Sequence, residues 1–224
     1  MLDARLQAVA DFVPPDAGVA DIGTDHAYLA IALYKANSNR KIIAADLNQG
    51  PCEAARRTIR EAGIDEIEVR QGDGLAALKP GEVEAVCIAG MGGKLEADIL
   101  TAHPQIVESL RCIILQPQNG QDYLRKWIYD HKWHIADEQL AKVDGRIYQI
   151  IKAVPGVKAM PSEAELVLGP VLLSNKVPLL REHIEGNVAV LQNIADGLSK
   201  GGDKTAGKLA EIQRKISLLE DYLP

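Results

Sequence analysis

Residues 20–29 read Ala20-Asp21-Ile22-Gly23-Thr24-Asp25-His26-Ala27-Tyr28-Leu29. The apolar run 18–22 leading into them is too short for a buried helix and reads as a strand, and 27–36 reads as the helix that follows. Gly23 at the strand end permits a sharp turn and close approach of a ligand to the backbone. The helix start beyond it offers free N–H groups. The spacing is not that of a dinucleotide-binding glycine loop, because Asp25 stands where its second glycine belongs. A pyrophosphate approaching this turn meets carboxylates, whereas a ligand with a positive centre and an amino group suits Asp21 and Asp25. S-adenosylmethionine, with a sulfonium and an ammonium beside one carboxylate, is such a ligand. For Asp25, an acidic helix cap is the plain structural alternative.

Outward from this turn, further short apolar runs at 41–46, 67–70, 83–89 and 111–116 predict parallel strands covered on both faces. Helical stretches at 51–62 and 94–102 lie between them, with Pro51 suited to a first turn and Gly63 to a helix end. The class is an open, doubly wound α/β sheet that binds ligands at the carboxyl ends of its strands. Asp46, followed by Leu47, ends the second strand where a carboxylate accepts from ribose hydroxyls. The third strand leads into Gln71-Gly72-Asp73-Gly74-Leu75, an acid for an adenine amino group between glycines that admit the ring. After a helix at 121–131, the segments 133–143 and 146–154 flank Asp144-Gly145 and predict an antiparallel hairpin. That ending departs from the dinucleotide-binding pattern. Residues 162–224 hold no convincing strand. Leu179, Ile184, Leu191, Ile194 and Leu198 mark one apolar stripe, and Leu209, Ile212, Ile216 and Leu219 another, around Gly201-Gly202-Asp203. They predict an antiparallel helical pair, coiled-coil-like, with the stripes as its core.

The whole chain is 224 residues, long enough for one full-sized domain and a smaller appendage. Aromatic residues are only 4%, so the core must be built from Ala, Val, Ile and Leu. No apolar run approaches the roughly 20 residues of a membrane span. Residues 1–13 carry acids where a signal peptide carries bases. Cys52, Cys87 and Cys112 form no CxxC, which excludes a disulfide framework and makes a reducing cytoplasm the default. His131 and His134 have metal-ligand spacing but no acid or cysteine to complete a site, so no metal is expected. The net charge of −6 weakens a nucleic-acid partner without excluding one, since a local basic patch suffices.

The residues Asp21, Gly23, Asp46 and Asp73, with the terminal hairpin, resemble the class I S-adenosylmethionine-dependent methyltransferases. More narrowly, the segment from Asp21 to Leu29 is similar, together with Ala89-Gly90-Met91-Gly92-Gly93 and Leu115-Gln116-Pro117-Gln118-Asn119, to the bacterial tRNA (adenine(22)-N1)-methyltransferase family. The opening Leu2-Asp3-Ala4-Arg5-Leu6 and the helical tail match as well, with Asp3 where a small hydroxyl residue is expected. The resemblance implies a Rossmann-like methyltransferase sheet in residues 1–156 and a tRNA-binding helical domain in 160–224. It implies methyl transfer to N1 of one adenine of tRNA, and Arg5 facing the cofactor mouth. No membrane contact is expected, and no obligate protein partner is inferred.

The chemistry then assigns roles. Adenine N1 attacks with an in-plane lone pair and needs an in-line approach rather than a covalent enzyme intermediate. Cys87 is accordingly read as core. Amine-directed methyltransferases carry Asn or Asp, Pro-Pro and an aromatic after the fourth strand, whereas here Gly90, Met91, Gly92 and Gly93 leave room for a purine. Gly90 and Met91 are placed beside the cofactor, Gly92 and Gly93 beside the base. Asp25, with His26 as a weaker partner, is nominated to stabilise the developing cation. A direct contact of Asp25 with the cofactor is the alternative. Gln116 and Asn119 are candidates for adenine's Watson–Crick edge, against a turn capped by Asn119. Candidate phosphate contacts are Arg56, Arg57 and Arg60, Arg125 with Lys126, Lys132 beside His131 and His134, and in the tail Lys200, Lys204, Lys208, Arg214 and Lys215. A solvated face explains each run as well, and residues 160–224 carry 7 bases and 9 acids. Competing functions are a methyltransferase for a small molecule or protein, and a non-catalytic adenosine-ligand-binding protein.

Overall fold

In the computed structural model of the chain, residues 2–201 and 205–223 are described. The apolar runs form β1 (Val19–Ile22), β2 (Ile42–Asp46), β3 (Glu68–Gln71), β4 (Ala85–Met91) and β5 (Cys112–Pro117). The hairpin follows as β6 (Trp133–Val143) and β7 (Arg146–Pro155). They make one seven-stranded sheet of order β3-β2-β1-β4-β5-β7-β6, in which β1 to β5 run parallel and β7 runs antiparallel to both neighbours. This is the Rossmann-like methyltransferase sheet. The strand order reverses at β1 and β4, so a crevice opens over their carboxyl ends.

The central strands β1, β4 and β5 are buried along most of their length, as expected of parallel strands covered on both faces. β3 differs, with no fully buried residue. It is an edge strand guarded by charge: Arg70 reaches Glu68 at 2.7 Å and Glu82 at 2.7 Å, and Lys41 meets Glu82 at 3.0 Å.

Helices cover the sheet: α1 (Ala4–Phe12), α2 (Tyr28–Ala36), α3 (Gln49–Glu61), α4 (Gly93–Ala102), α5 (Pro104–Val107) and α6 (Gln121–Asp130). Asp3 caps α1 by accepting from the Leu6 N–H at 2.7 Å, the work expected of a small hydroxyl residue there. Ala8, Val9 and Phe12 of α1 join Ala141 and Ile150 of the hairpin in the core, which carries Arg5 to the carboxyl edge of the sheet. α3 begins two residues earlier than predicted, and Pro51 still falls within its first turn, where no N–H partner is lost. Arg125, a predicted phosphate contact, is fully buried. It bonds Glu138 at 2.8 Å and Gln149 at 2.6 Å, tying α6 to the hairpin. Its guanidinium is a core group.

The chain divides into two compact units, Met1–Ala159 and Met160–Pro224. The second holds four helices among the described residues, not only the predicted pair: α7 (Glu163–Leu168), α8 (Pro170–Asn175), α9 (Leu180–Ser199) and α10 (Ala206–Glu220). α7 starts on a Ser162–Glu165 capping box, and His183 of α9 bonds the Leu168 carbonyl at 3.0 Å. Ile194 is 42% exposed while Ala195 is buried. A two-helix seam has room for Leu191, Ala195 and Leu198 at i, i+4 and i+7, and Ile194 falls outside it. Of the predicted turn, Gly202 and Asp203 lie outside the described residues. No described helix is long and apolar enough to cross a membrane.

Glu96, in the first turn of α4, is fully buried, and neither carboxylate oxygen has a hydrogen-bond partner among the described residues. Burial pushes its carboxyl well above 4.5. A carboxyl raised on folding favours the folded state fully below its unfolded value, and that contribution is lost as pH rises through the folded value. Glu96→Met therefore stabilises the chain at about pH 8, by about 1–3 kcal/mol, and much less at about pH 5. Thermal melts of both proteins at the two pH values test this; an equal Tm difference at both would contradict it.

Candidate active site

The turn after β1 is built around Gly23, whose φ is 76° and whose N–H bonds the Ala45 carbonyl at 2.8 Å. A Cβ at this position would collide with the methyl of Met91, so glycine lets β4 close against the turn. Asp25 and Ala27 both take left-handed backbone, with φ of 49° and 59°. Two non-glycine residues in that region within three positions mark a strained turn. α2 starts only at Tyr28 with no side-chain cap, so Asp25 caps nothing. Its side chain is 71% exposed at the turn, 3.7 Å from Nε2 of His26, whose ring stacks on Tyr28 at 5.5 Å.

Asp21 points the other way, into the fold. It is 5% exposed, and its Oδ2 accepts from the Thr24 hydroxyl at 2.6 Å. Burial pushes its carboxyl up to about 6, against the Thr24 bond and with a further rise from the charge of Asp46. Cys87 sits opposite Asp21 in the β4 register and is fully buried, with its thiol pushed up by burial. It is no nucleophile.

A cavity of about 420 Å³ opens at this edge, lined by Asp3, Arg5, Asp21, Gly23, Thr24, Asp25, His26, Tyr28 and Gly90 among others. Arg5 enters from α1 as the cation among these carboxylates. Its Nη1 donates to Gln116 Oε1 at 2.7 Å, and its guanidinium lies 5.8 Å from the centre of the Tyr148 ring. Gln116 itself is fully buried, and its Nε2 donates to the Pro117 carbonyl at 3.2 Å. Its amide is occupied on both sides, which corrects the expectation that it reads the base directly: it holds Arg5.

On one side of the cavity the edge continues along β2 and β3. Asp46 accepts from the Asn48 N–H at 2.9 Å, and its carbonyl takes the Gly72 N–H at 2.9 Å. Leu47 is 56% exposed beside it. Asp73 is exposed and leads into a single 3-10 turn, Gly74–Ala77, with Gly74 packed against Ile99. On the other side, Gly92 and Gly93 begin α4. The Gly93 N–H bonds the Asn119 carbonyl at 2.8 Å, and a Cβ on Gly93 would strike the Gly120 carbonyl. The amino ends of α4 and α6 therefore touch. Asn119 is exposed and does not cap α6, whose cap is Gly120. Its side-chain amide is left without a hydrogen bond among the described residues.

The fold thus brings Arg5, Asp21, Gly23, Asp25, His26 and Gly90 to one cavity and sets Asp46, Leu47, Gly72, Asp73 and Gly74 on the adjoining shelf. Met91, Gly92, Gly93 and Asn119 form the opposite wall. Lys208 is exposed on α10, in the other unit, and Lys204 lies outside the described residues. Thr24 and Tyr148 were missed. A hydroxyl three residues after Asp21 was a visible signal for Thr24; Tyr148 had none, because only strand pairing brings it here. Lys132 and His134 sit at the amino edge of the sheet, since β6 runs parallel to β5 and they open it. They face away from the cavity. Among the described residues no cluster of three metal-ligating side chains occurs.

A family model for a methyltransferase domain matches residues 2–151. The chain is 34% identical to the tRNA (adenine(22)-N(1))-methyltransferase of Bacillus subtilis, over 99% of its own length and 97% of that protein. The crystal structure of the B. subtilis m1A22 tRNA methyltransferase TrmK is similar at a TM-score of 0.89 and 33% identity, covering 100% of this chain and 99% of that one. The structure of Streptococcus pneumoniae Sp1610 in complex with S-adenosyl-L-methionine is similar at a TM-score of 0.84 and 31% identity, with 100% of both chains covered. With the sheet and the helical tail alike spanned by these relatives, the chain belongs to the tRNA (adenine(22)-N1)-methyltransferase family.

Proposed function

We propose that the chain transfers a methyl group from S-adenosylmethionine to N1 of adenine 22 in tRNA. The observation that carries this reading is the pairing inside one cavity of a buried carboxylate, Asp21, with a tethered guanidinium, Arg5. They complement the ammonium and carboxylate of the methionine moiety. Asp46 accepts from the ribose hydroxyls and Asp73 from the adenine amino group. Gly72 and Gly74 admit the ring and Leu47 lies against it. Gly23 and Gly90, both at positive φ, leave room beside Met91. S-adenosylmethionine, when bound, supplies an electrophilic methyl group.

The protein's own work is to orient, exclude water and balance charge. The flipped adenine enters between the Asp25–His26 turn and the Gly92–Gly93 wall, with Asn119 free to meet its Watson–Crick edge. N1 attacks with its lone pair, so no proton must leave first. The product ring is cationic. Asp25, partnered by His26, accepts from the N6 amino group as positive charge develops. Gln116 is a positioning residue for Arg5. In the helical unit, Lys200 and Lys208 are exposed with no ion pair among the described residues, whereas Arg214 and Lys215 are held by Glu163. We assign Lys200 and Lys208 to tRNA phosphates. The reaction belongs in the cytoplasm, which suits three free, buried thiols.

The deciding assay is methylation of unmodified tRNA followed by nucleoside mass spectrometry. N1-methyladenine at position 22 is expected; methylation only of a protein or small molecule would sink the reading. In the same assay Asp25→Asn lowers kcat about 10²-fold with cofactor Kd unchanged. A loss confined to cofactor Kd would move Asp25 to the cofactor.

Asp21 generates a pH dependence. In the free protein it is protonated below about 6. The cofactor ammonium binds the ionised form, so affinity falls as pH is lowered through that value, approaching about tenfold per pH unit. Calorimetric titration should show this for S-adenosylmethionine and a flat profile for 5′-methylthioadenosine, which lacks the ammonium. Equal slopes for both ligands would remove Asp21 from that role.

A further inference from the structure

We infer that the tip of the β6–β7 hairpin is a contact for the tRNA backbone, with Arg146, seated on Tyr148, taking a phosphate beside the nucleotide that enters the cavity. The inference rests on the tRNA-methylation reading above.

Topology brings the hairpin tip to the site. β7 pairs antiparallel with β5 through Leu115↔Ile151 and Ile113↔Ala153. Stepping back along β7 from Ile151 toward Arg146 therefore runs past the carboxyl end of β5, the edge where the cavity opens. Arg146, Tyr148 and Ile150 alternate along the strand and share one face. Ile150 is buried in the core with Ala8 and Val9 of α1, so that face is the one α1 covers. The first turn of α1 places Arg5 over Tyr148 at 5.8 Å, and Arg146 lies at 5.9 Å from the same ring. Arginine, tyrosine and arginine thus form a continuous stack. Its inner member lines the cavity and its outer member, Arg146, is exposed.

Charge decides what the outer member is for. The cavity presents Asp3, Asp21 and Asp25 and repels a phosphodiester. An RNA strand feeding a base into it needs cations on the rim. Lys94, on the opposite wall, is held by Asp98 at 3.0 Å. Arg146 has no carboxylate partner among the described residues, and the aromatic ring beneath it restrains its guanidinium, which lowers the entropy lost on pairing with a phosphate.

The test measures steady-state methylation of unmodified tRNA against salt concentration for the wild type, Arg146→Gln and Arg146→Lys. Arg146→Gln raises the KM for tRNA about tenfold and flattens the slope of log KM against log salt by about 1, while kcat and cofactor Kd stay within about twofold. Arg146→Lys keeps the charge and recovers most of both. An Arg146→Gln protein with wild-type KM, salt slope and cofactor Kd overturns this contact and leaves the methyltransferase reading standing. A fall in kcat with unchanged KM overturns it too. A wild type that binds S-adenosylmethionine and methylates no tRNA overturns both.

Discussion

A carboxylate held away from water at the end of β1 is the constraint around which this molecule is arranged. Asp21 is buried, restrained by the Thr24 hydroxyl at 2.6 Å, and raised to about 6 in the free protein. Desolvated charge of this kind is tolerated where a partner of opposite sign arrives to meet it. The turn serves that arrival. Gly23 gives the chain a path, Met91 packs where its side chain would have been, and the left-handed Asp25 and Ala27 swing the next carboxylate outward. Within five residues the backbone thus delivers one acid to the interior and another to the mouth.

The rest of the site follows from tethering one arginine among several carboxylates. Arg5 comes from a helix that precedes the sheet in the chain, and its guanidinium is held by Gln116, by the Tyr148 ring and by Asp3 at 3.8 Å. Gln116 can do this because β5 is buried to its last residue, leaving its amide no competitor in solvent. The opposite wall is shaped by absence of side chains. Gly93 lets the amino ends of α4 and α6 meet, because a side chain there would strike the Gly120 carbonyl. The same logic explains the cationic stack: a pocket built from carboxylates suits a sulfonium and an ammonium, and leaves the phosphates of an RNA substrate to residues outside it.

Buried polar groups elsewhere serve the frame. Arg125, Glu138 and Gln149 bind the hairpin to α6, and the Glu68–Arg70–Glu82 clasp guards the sheet edge. Arg125 reads in sequence as one more basic residue beside Lys126. Its burial depends on which face of α6 meets β6, and helix periodicity does not specify the partner.

The alternation of short apolar runs and helices, the acids at Asp21, Asp46 and Asp73, and the Asp144-Gly145 turn determined by themselves the sheet, its functional edge and the kind of ligand it takes. Those features are local: a strand end, a glycine turn and a hairpin signal each lie within a few consecutive residues. The tertiary structure alone decided that Gln116 holds Arg5 rather than a base, that Tyr148 joins two arginines, and that Lys132 and His134 lie at the wrong edge. Each of these depends on strand order and direction, which bring together residues as far apart as Arg5 and Gln116. No local pattern encodes such pairings, because they follow from how the whole sheet buries its faces.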